Sequence, residues 1–331
     1  MQKPTMLDFL KNNPLALGAR EARFRPKMLG QLLLFFLVMT IAETVAAVPV
    51  SFYTTIRMFS LLDPELLTDP AITEEALMQA MDAATVTIMA ENAYLLISLF
   101  SMALIIAVSV IYCRLIERRP LASMGVVRDR RAPLGVLLGL AIGGAMIGGV
   151  FLISYATGAL TVTAAAARPA MLLAYFLAFL VQSSAEEFLF RGYLMPSLCN
   201  TTTPLGAVLV SALFFSTMHT GNAGFSLLGA INIFLFGVFL GLLVFRTHNL
   251  FLACAIHAAW NFACGPLLGL SVSGIVIPET LFTSVAVSGR ELTNGGAFGP
   301  EGGIVTTLVL TVALTVLLYW PQKAKKAEDV A

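Results

Sequence analysis

Long apolar runs, separated by short polar and charged stretches, set the rhythm of this chain. Eight of them have spanning length, over residues 29–53, 92–113, 134–157, 171–199, 204–220, 225–246, 249–265 and 303–320; about 20 apolar residues in a helix cross the hydrocarbon core of a bilayer. The seventh is short and the fourth is long. The pattern predicts an all-α fold, a polytopic membrane helix bundle with about eight transmembrane helices. Between the first two spans lies an acidic outer stretch, 54–91, with Asp63, Glu65, Asp69, Glu74, Glu75, Asp82 and Glu91. Thr73 ahead of Glu74 and Glu75 predicts a helix start. The helical pattern that follows reads as a surface helix leading into the second span, with a lid or substrate-docking element as the functional alternative. In the third span Gly135, Gly139 and Gly143 recur every four residues, as do Gly144 and Gly148. Small residues at that spacing let helices approach closely. Asn232 and the Gly237/Gly241 pair in the sixth span read as interhelical packing for the same reason.

Composition agrees. Of 331 residues, 58% are hydrophobic and 12% charged, against about 25% charged in an average soluble domain. The mean hydropathy is +0.87. A net charge of +1 says nothing about nucleic acid, and with no basic aromatic patch along the chain nucleic acid is not an expected partner. Cys113, Cys199, Cys254 and Cys264 lie in or beside apolar segments without CxxC spacing, and so read as packing residues. The first apolar run is too long for a signal-peptide core, so no cleavable signal is expected. With the N-terminus inside, 17 of the 20 Lys and Arg fall on the inner side, and only Arg57, Arg168 and Arg290 lie outside. The positive-inside rule then puts both termini in the cytoplasm. The expected division is a two-span N-terminal part with the acidic loop (1–124), a core (125–320) and a charged cytoplasmic tail (321–331).

The candidate chemistry sits in the second half. Ser183-Ser184-Ala185-Glu186-Glu187-Phe188-Leu189-Phe190-Arg191 places two carboxylates and a guanidinium inside a spanning segment, where an ionisable group costs about 2.5–3.5 kcal/mol and marks function by default. Glu187 and Arg191 share a helix face and can neutralise each other, which leaves Glu186 free. The second constellation is Phe215…His219, followed by a helix-breaking Thr220-Gly221-Asn222. The third is His257…Asn261, again one face of a helix. His248 lies outside them, in a short turn. At about 1.5 Å per residue, Glu186 and His219 are each roughly 20 Å from the Asn200–Pro204 turn. They therefore match in depth, and His257 joins them if that turn projects into the cytoplasm. Glu43, in the first span, is a second intramembrane acid that reads either as a structural partner or as part of a cavity wall. The set suits hydrolysis: Glu186 as a general base on a water shared with His219, and His257 with Asn261 as donors to an oxyanion. No serine or cysteine stands in a convincing nucleophile arrangement.

EExxxR (Glu186, Glu187, Arg191), FxxxH (Phe215, His219) and HxxxN (His257, Asn261), in that order, resemble the CPBP family of intramembrane proteases. These comprise type II CAAX prenyl endopeptidases of the Rce1 kind and related bacterial bacteriocin-processing or self-immunity (Abi) proteins. The likeness covers roughly 125–320, and Gly265–Gly274 and Gly295–Gly302 look like a bacterial subgroup. It implies an integral membrane protein of the bacterial cell membrane that cleaves a peptide or membrane-tethered protein. Under it Glu186 and His219 activate water, Glu187 and Arg191 form a structural ion pair, and His257 and Asn261 form the oxyanion site. A cofactor-free route is favoured. A zinc alternative would use Glu186, His219 and His257. The non-enzymatic alternative is a membrane scaffold or bacteriocin self-immunity protein on the same fold, and oligomeric state stays open.

Overall fold

The eight apolar runs each become a helix in the computed structural model, which describes residues 6–68, 72–126 and 132–321. Six are long and apolar enough to cross a membrane: the first (Met28–Leu61), second (Asn92–Ile116), third (Pro133–Ala156), fourth (Pro169–Leu198), sixth (Leu227–Thr247) and seventh (Leu250–Leu267). The fifth (Pro204–Thr217) and eighth (Ile304–Tyr319) are shorter. At 14 residues the fifth rises only about 21 Å, less than the roughly 30 Å of a hydrocarbon core. Its end therefore brings the Thr220–Phe225 stretch within the bundle. Irregular backbone is tolerated at that depth where it lines a wet cavity, as Asn222 does while donating to the Ser273 carbonyl at 2.8 Å.

Close helix approaches follow the glycines. A Cβ on Gly143 would sit 2.1 Å from the Ile256 carbonyl oxygen, and one on Gly139 would sit 2.7 Å from the Ala255 Cβ. The third span thus presses directly on the seventh. Gly144 and Gly148 behave differently: a Cβ on either would meet nothing within 4 Å, because one residue's step of about 100° turns them off the contact face. Gly237 and Gly241 bring the sixth helix against Ala212 and Val208 of the fifth. Asn232 bonds between helices, from the sixth to the eighth, and also reaches the loop before the eighth. It donates to the Glu301 and Gly303 carbonyls at 2.7 and 2.9 Å and accepts from Thr307 Oγ1 at 2.6 Å.

The helix in the acidic loop is present as Glu74–Met89, and Thr73 Oγ1 caps it by accepting from the Ala76 amide. Two features had no sequence signal. An antiparallel pair, β1 (Leu160–Ala164) and β2 (Phe282–Ala286), joins the stretch after the third span to the loop after the seventh. A buried clamp grips the C-terminal end of the fourth span. Arg119 donates to Glu117 at 2.5 Å and to the Gly192 and Tyr193 carbonyls at 3.1 Å, and Ser197 Oγ donates to Glu117 Oε1 at 3.0 Å. The four cysteines are buried and free. Of the charged tail expected at 321–331, residues 322–331 lie outside the described residues, as do Asp69, Arg128, Arg130 and Arg131.

Candidate active site

Regular α-helix in the fourth span stops at Glu187, and Phe188–Leu194 winds as a π-helix. Such insertions are rare and concentrate at functional sites. The two glutamates thus stand on the last regular turn, with Arg191 on the widened one. Arg191 Nη1 donates to Glu187 Oε1 at 3.0 Å, and both side chains are fully enclosed. The guanidinium lies 4.2 Å from the centre of the Phe215 ring, so the aromatic of the second constellation covers the cation of the first.

The same Glu187 oxygen also receives His257 Nδ1 at 2.9 Å, a bond that spacing alone does not reveal. Since a carboxylate oxygen accepts, Nδ1 carries the hydrogen, and Nε2 of the neutral ring is a lone pair. That Nε2 lies 3.5 Å from Glu186 Oε2, a buried oxygen without a hydrogen-bond partner. A doubly protonated His257 would lie between two carboxylates, and with Arg191 the four groups would balance in charge. Phe215 and Phe236 hold the ring edge-on, with centroids 6.0 and 5.3 Å away.

His219 follows the fifth helix. Its Nδ1 donates to the Phe215 carbonyl at 2.8 Å, which fixes the neutral ring with Nε2 as an acceptor. Asn261 Nδ2 donates to Gln182 Oε1 at 3.0 Å and to Ser183 Oγ at 3.3 Å, so both amide hydrogens are engaged. Gln182, one turn before Glu186, is a site residue with no sequence signal. His248 stays apart, ending the sixth helix in a left-handed conformation.

Gln182, Glu186, His219, His257 and Asn261 line one cavity of about 620 Å³. Glu43 from the first span lines it too, which decides between the two sequence readings of that acid. Glu301 lines the cavity from the loop before the eighth helix. It accepts from Trp260 Nε1 at 3.0 Å and from the Ser273 amide and hydroxyl at 2.5 and 2.8 Å. Burial pushes its pKa above the ordinary carboxylate value, and its contact with Trp260 braces the seventh helix beside Asn261. Among the described residues no three His, Cys, Asp or Glu side chains are grouped to hold a metal ion; Glu186, His219 and His257 share the cavity without forming a ligand set.

Residues 168–263 match the family model described as type II CAAX prenyl endopeptidase Rce1-like. Over this segment the chain belongs to the Rce1-like family. No curated protein matches the chain. The Rce1-like segment opens beside the first turn of the fourth helix and closes just past Asn261, so it contains all seven motif residues. At family level the activity is that of a CAAX-type intramembrane endopeptidase, a hydrolase. The first and second helices, Met89 of the acidic-loop helix, residues 272–276 and Glu301 complete the cavity from outside the Rce1-like segment.

Proposed function

We propose that the chain is an intramembrane endopeptidase that hydrolyses a peptide bond of a membrane-associated or small peptide substrate without a metal. Glu186 is the general base, and a water between it and His219 Nε2 is the nucleophile. Glu186 takes a proton from the water as its oxygen attacks the scissile carbonyl carbon. The resulting oxyanion accepts hydrogen bonds from doubly protonated His257 at Nε2 and from Asn261, whose amide exchanges its Gln182 bond for the substrate. The carbon–nitrogen bond then breaks, and Glu186 returns the proton to the leaving amine. Glu187 stays ionised throughout and holds His257 and Arg191. No step is routed through a metal, since the donor set does not gather into a ligand group.

The single observation behind this reading is the unpaired Glu186 Oε2, 3.5 Å from His257 Nε2 and on the wall of the cavity that His219 shares. The orientation proposed has both termini on the cytoplasmic side of a bacterial membrane, from the distribution of Lys and Arg. The test compares peptide cleavage by purified wild-type and Glu186→Gln protein, with and without a strong chelator. Cleavage that survives the chelator and is lost in Glu186→Gln is expected. Loss on chelation with recovery on adding zinc would replace this route by a metal-dependent one. Unchanged cellular function of Glu186→Ala at equal membrane levels would favour a scaffold or immunity role.

A further inference from the structure

We propose that Glu43 selects substrates by pairing with an ammonium or guanidinium group within about two residues of the scissile bond. The proposal rests on the endopeptidase reading. Glu43 sits in a spanning helix, where an unneutralised acid is expensive and faces either a partner or a wet cavity. Among the described residues it has no hydrogen-bonding or charged partner. It lines the catalytic cavity, as does Met39 one turn earlier. Among the described residues no Lys or Arg lines that cavity, whereas Glu43, Glu186 and Glu301 do. Beyond the site histidines the cavity therefore offers no cation to a free carboxylate at a peptide's end, and apart from the catalytic Glu186 and the hydrogen-bonded Glu301 it offers one unengaged carboxylate, Glu43, to a cation.

Depth gives the subsite. The first and fourth helices run antiparallel: Met28 Sδ meets Thr201 Oγ1 at one end. Further along, the Phe35 ring packs on Phe190 with centroids 5.5 Å apart. Glu43 is eight residues beyond Phe35, a rise of about 12 Å, and Glu186 is four residues beyond Phe190 in the same direction, about 6 Å. Glu43 thus lies roughly 6 Å past Glu186, which extended peptide covers in about two residues. The apolar side chains that share the cavity wall, including Met39, Leu99 and Met102, lower the local dielectric and strengthen a pairing there.

The test uses the full chain in lipid nanodiscs with fluorescent ten-residue Leu/Ala/Ser peptides. One Lys is walked along the sequence, norleucine at the same position is the neutral match, and each peptide is made with a free and an acetylated amino terminus. Cleavage is followed with the wild-type chain and with Glu43→Gln and Glu43→Lys. Binding is followed by anisotropy in a Glu186→Gln background. The expected result is a Lys-to-norleucine ratio in kcat/KM of about ten at one position, carried by KM. Glu43→Gln brings that ratio near one, and Glu43→Lys inverts it. A preference that disappears on acetylation assigns the cation to the amino terminus; one that survives assigns it to the side chain. A ratio that Glu43→Gln leaves unchanged, an equal drop for both peptides, or no binding of any Lys peptide overturns the proposal. If binding shows the Glu43-dependent ratio while no peptide is cleaved, the endopeptidase reading fails and the cation site stands. Glu186-dependent cleavage with a Glu43-independent ratio gives the reverse.

Discussion

Glu186 and Glu187 are neighbours with opposite environments, and their substitutions should fail differently. Glu187 Oε1 accepts from both Arg191 and His257 inside a closed pocket. Neutralising it as Glu187→Gln leaves a buried guanidinium uncompensated, a change that costs about 3–5 kcal/mol. Thermal unfolding in detergent should show that loss together with the loss of activity. Glu186 has a buried oxygen without a hydrogen-bond partner, 3.5 Å from His257 Nε2, so Glu186→Gln should unfold close to wild type. Its kcat should fall by about 10²–10⁴-fold, the usual contribution of a general base. Asn261 marks a third kind of site residue. Its amide hydrogens are held by Gln182 and Ser183, so Asn261→Asp sets a carboxylate against the Gln182 carbonyl oxygen and removes an oxyanion donor. A fall in kcat of about a hundredfold with little change in KM is expected from steady-state kinetics.

At the scale of helices, the four-residue repeat of Gly135, Gly139 and Gly143 was legible because close packing needs small residues on one face. The same argument failed for Gly144 and Gly148, whose spacing is identical but whose face meets no neighbour. Spacing gives a face, and only the fold says what lies opposite it. The site divides in the same way. The Glu187–Arg191 pair lies within one turn and could be read from the sequence. The Glu187–His257 bond, Gln182 and Glu301 arise between distant segments and could not. The glycine difference is testable. Gly143→Val must displace the backbone at Ile256, the residue before His257, and should lower both stability, by about 1–3 kcal/mol, and cleavage. Gly144→Ala, with open space and a better helix former, should leave unfolding and cleavage near wild type or raise stability slightly.

The whole molecule encloses its cavity by tying together parts of the chain that lie far apart in sequence, and on the side away from the Arg119 clamp one carboxylate holds the tie. Glu279 accepts from the Arg168 amide at 2.7 Å, from Arg168 Nη2 at 2.7 Å and from Asn92 Nδ2 at 3.1 Å, while the Tyr175 hydroxyl donates to Asn92 Oδ1 at 2.5 Å. The loop after the seventh helix is thereby fastened to the start of the second and fourth helices, and the second supplies Tyr94 and Ser98 to the cavity wall. Hydrogen bonds from Arg168 hold the Glu279 carboxyl down at about 2, below its ordinary 4.5. A depressed folded-state pKa means that the unfolded chain binds the proton first as pH falls. The clasp therefore contributes fully above about pH 4.5 and loses its contribution progressively as pH drops toward 2. Glu279→Gln removes the titrating group. Wild type should melt above the variant at pH 6, the gap should narrow between pH 4.5 and 2, and the curves should meet near pH 2. A gap independent of pH would mean that the Glu279 charge contributes nothing to the tie, leaving shape alone to close that side of the cavity.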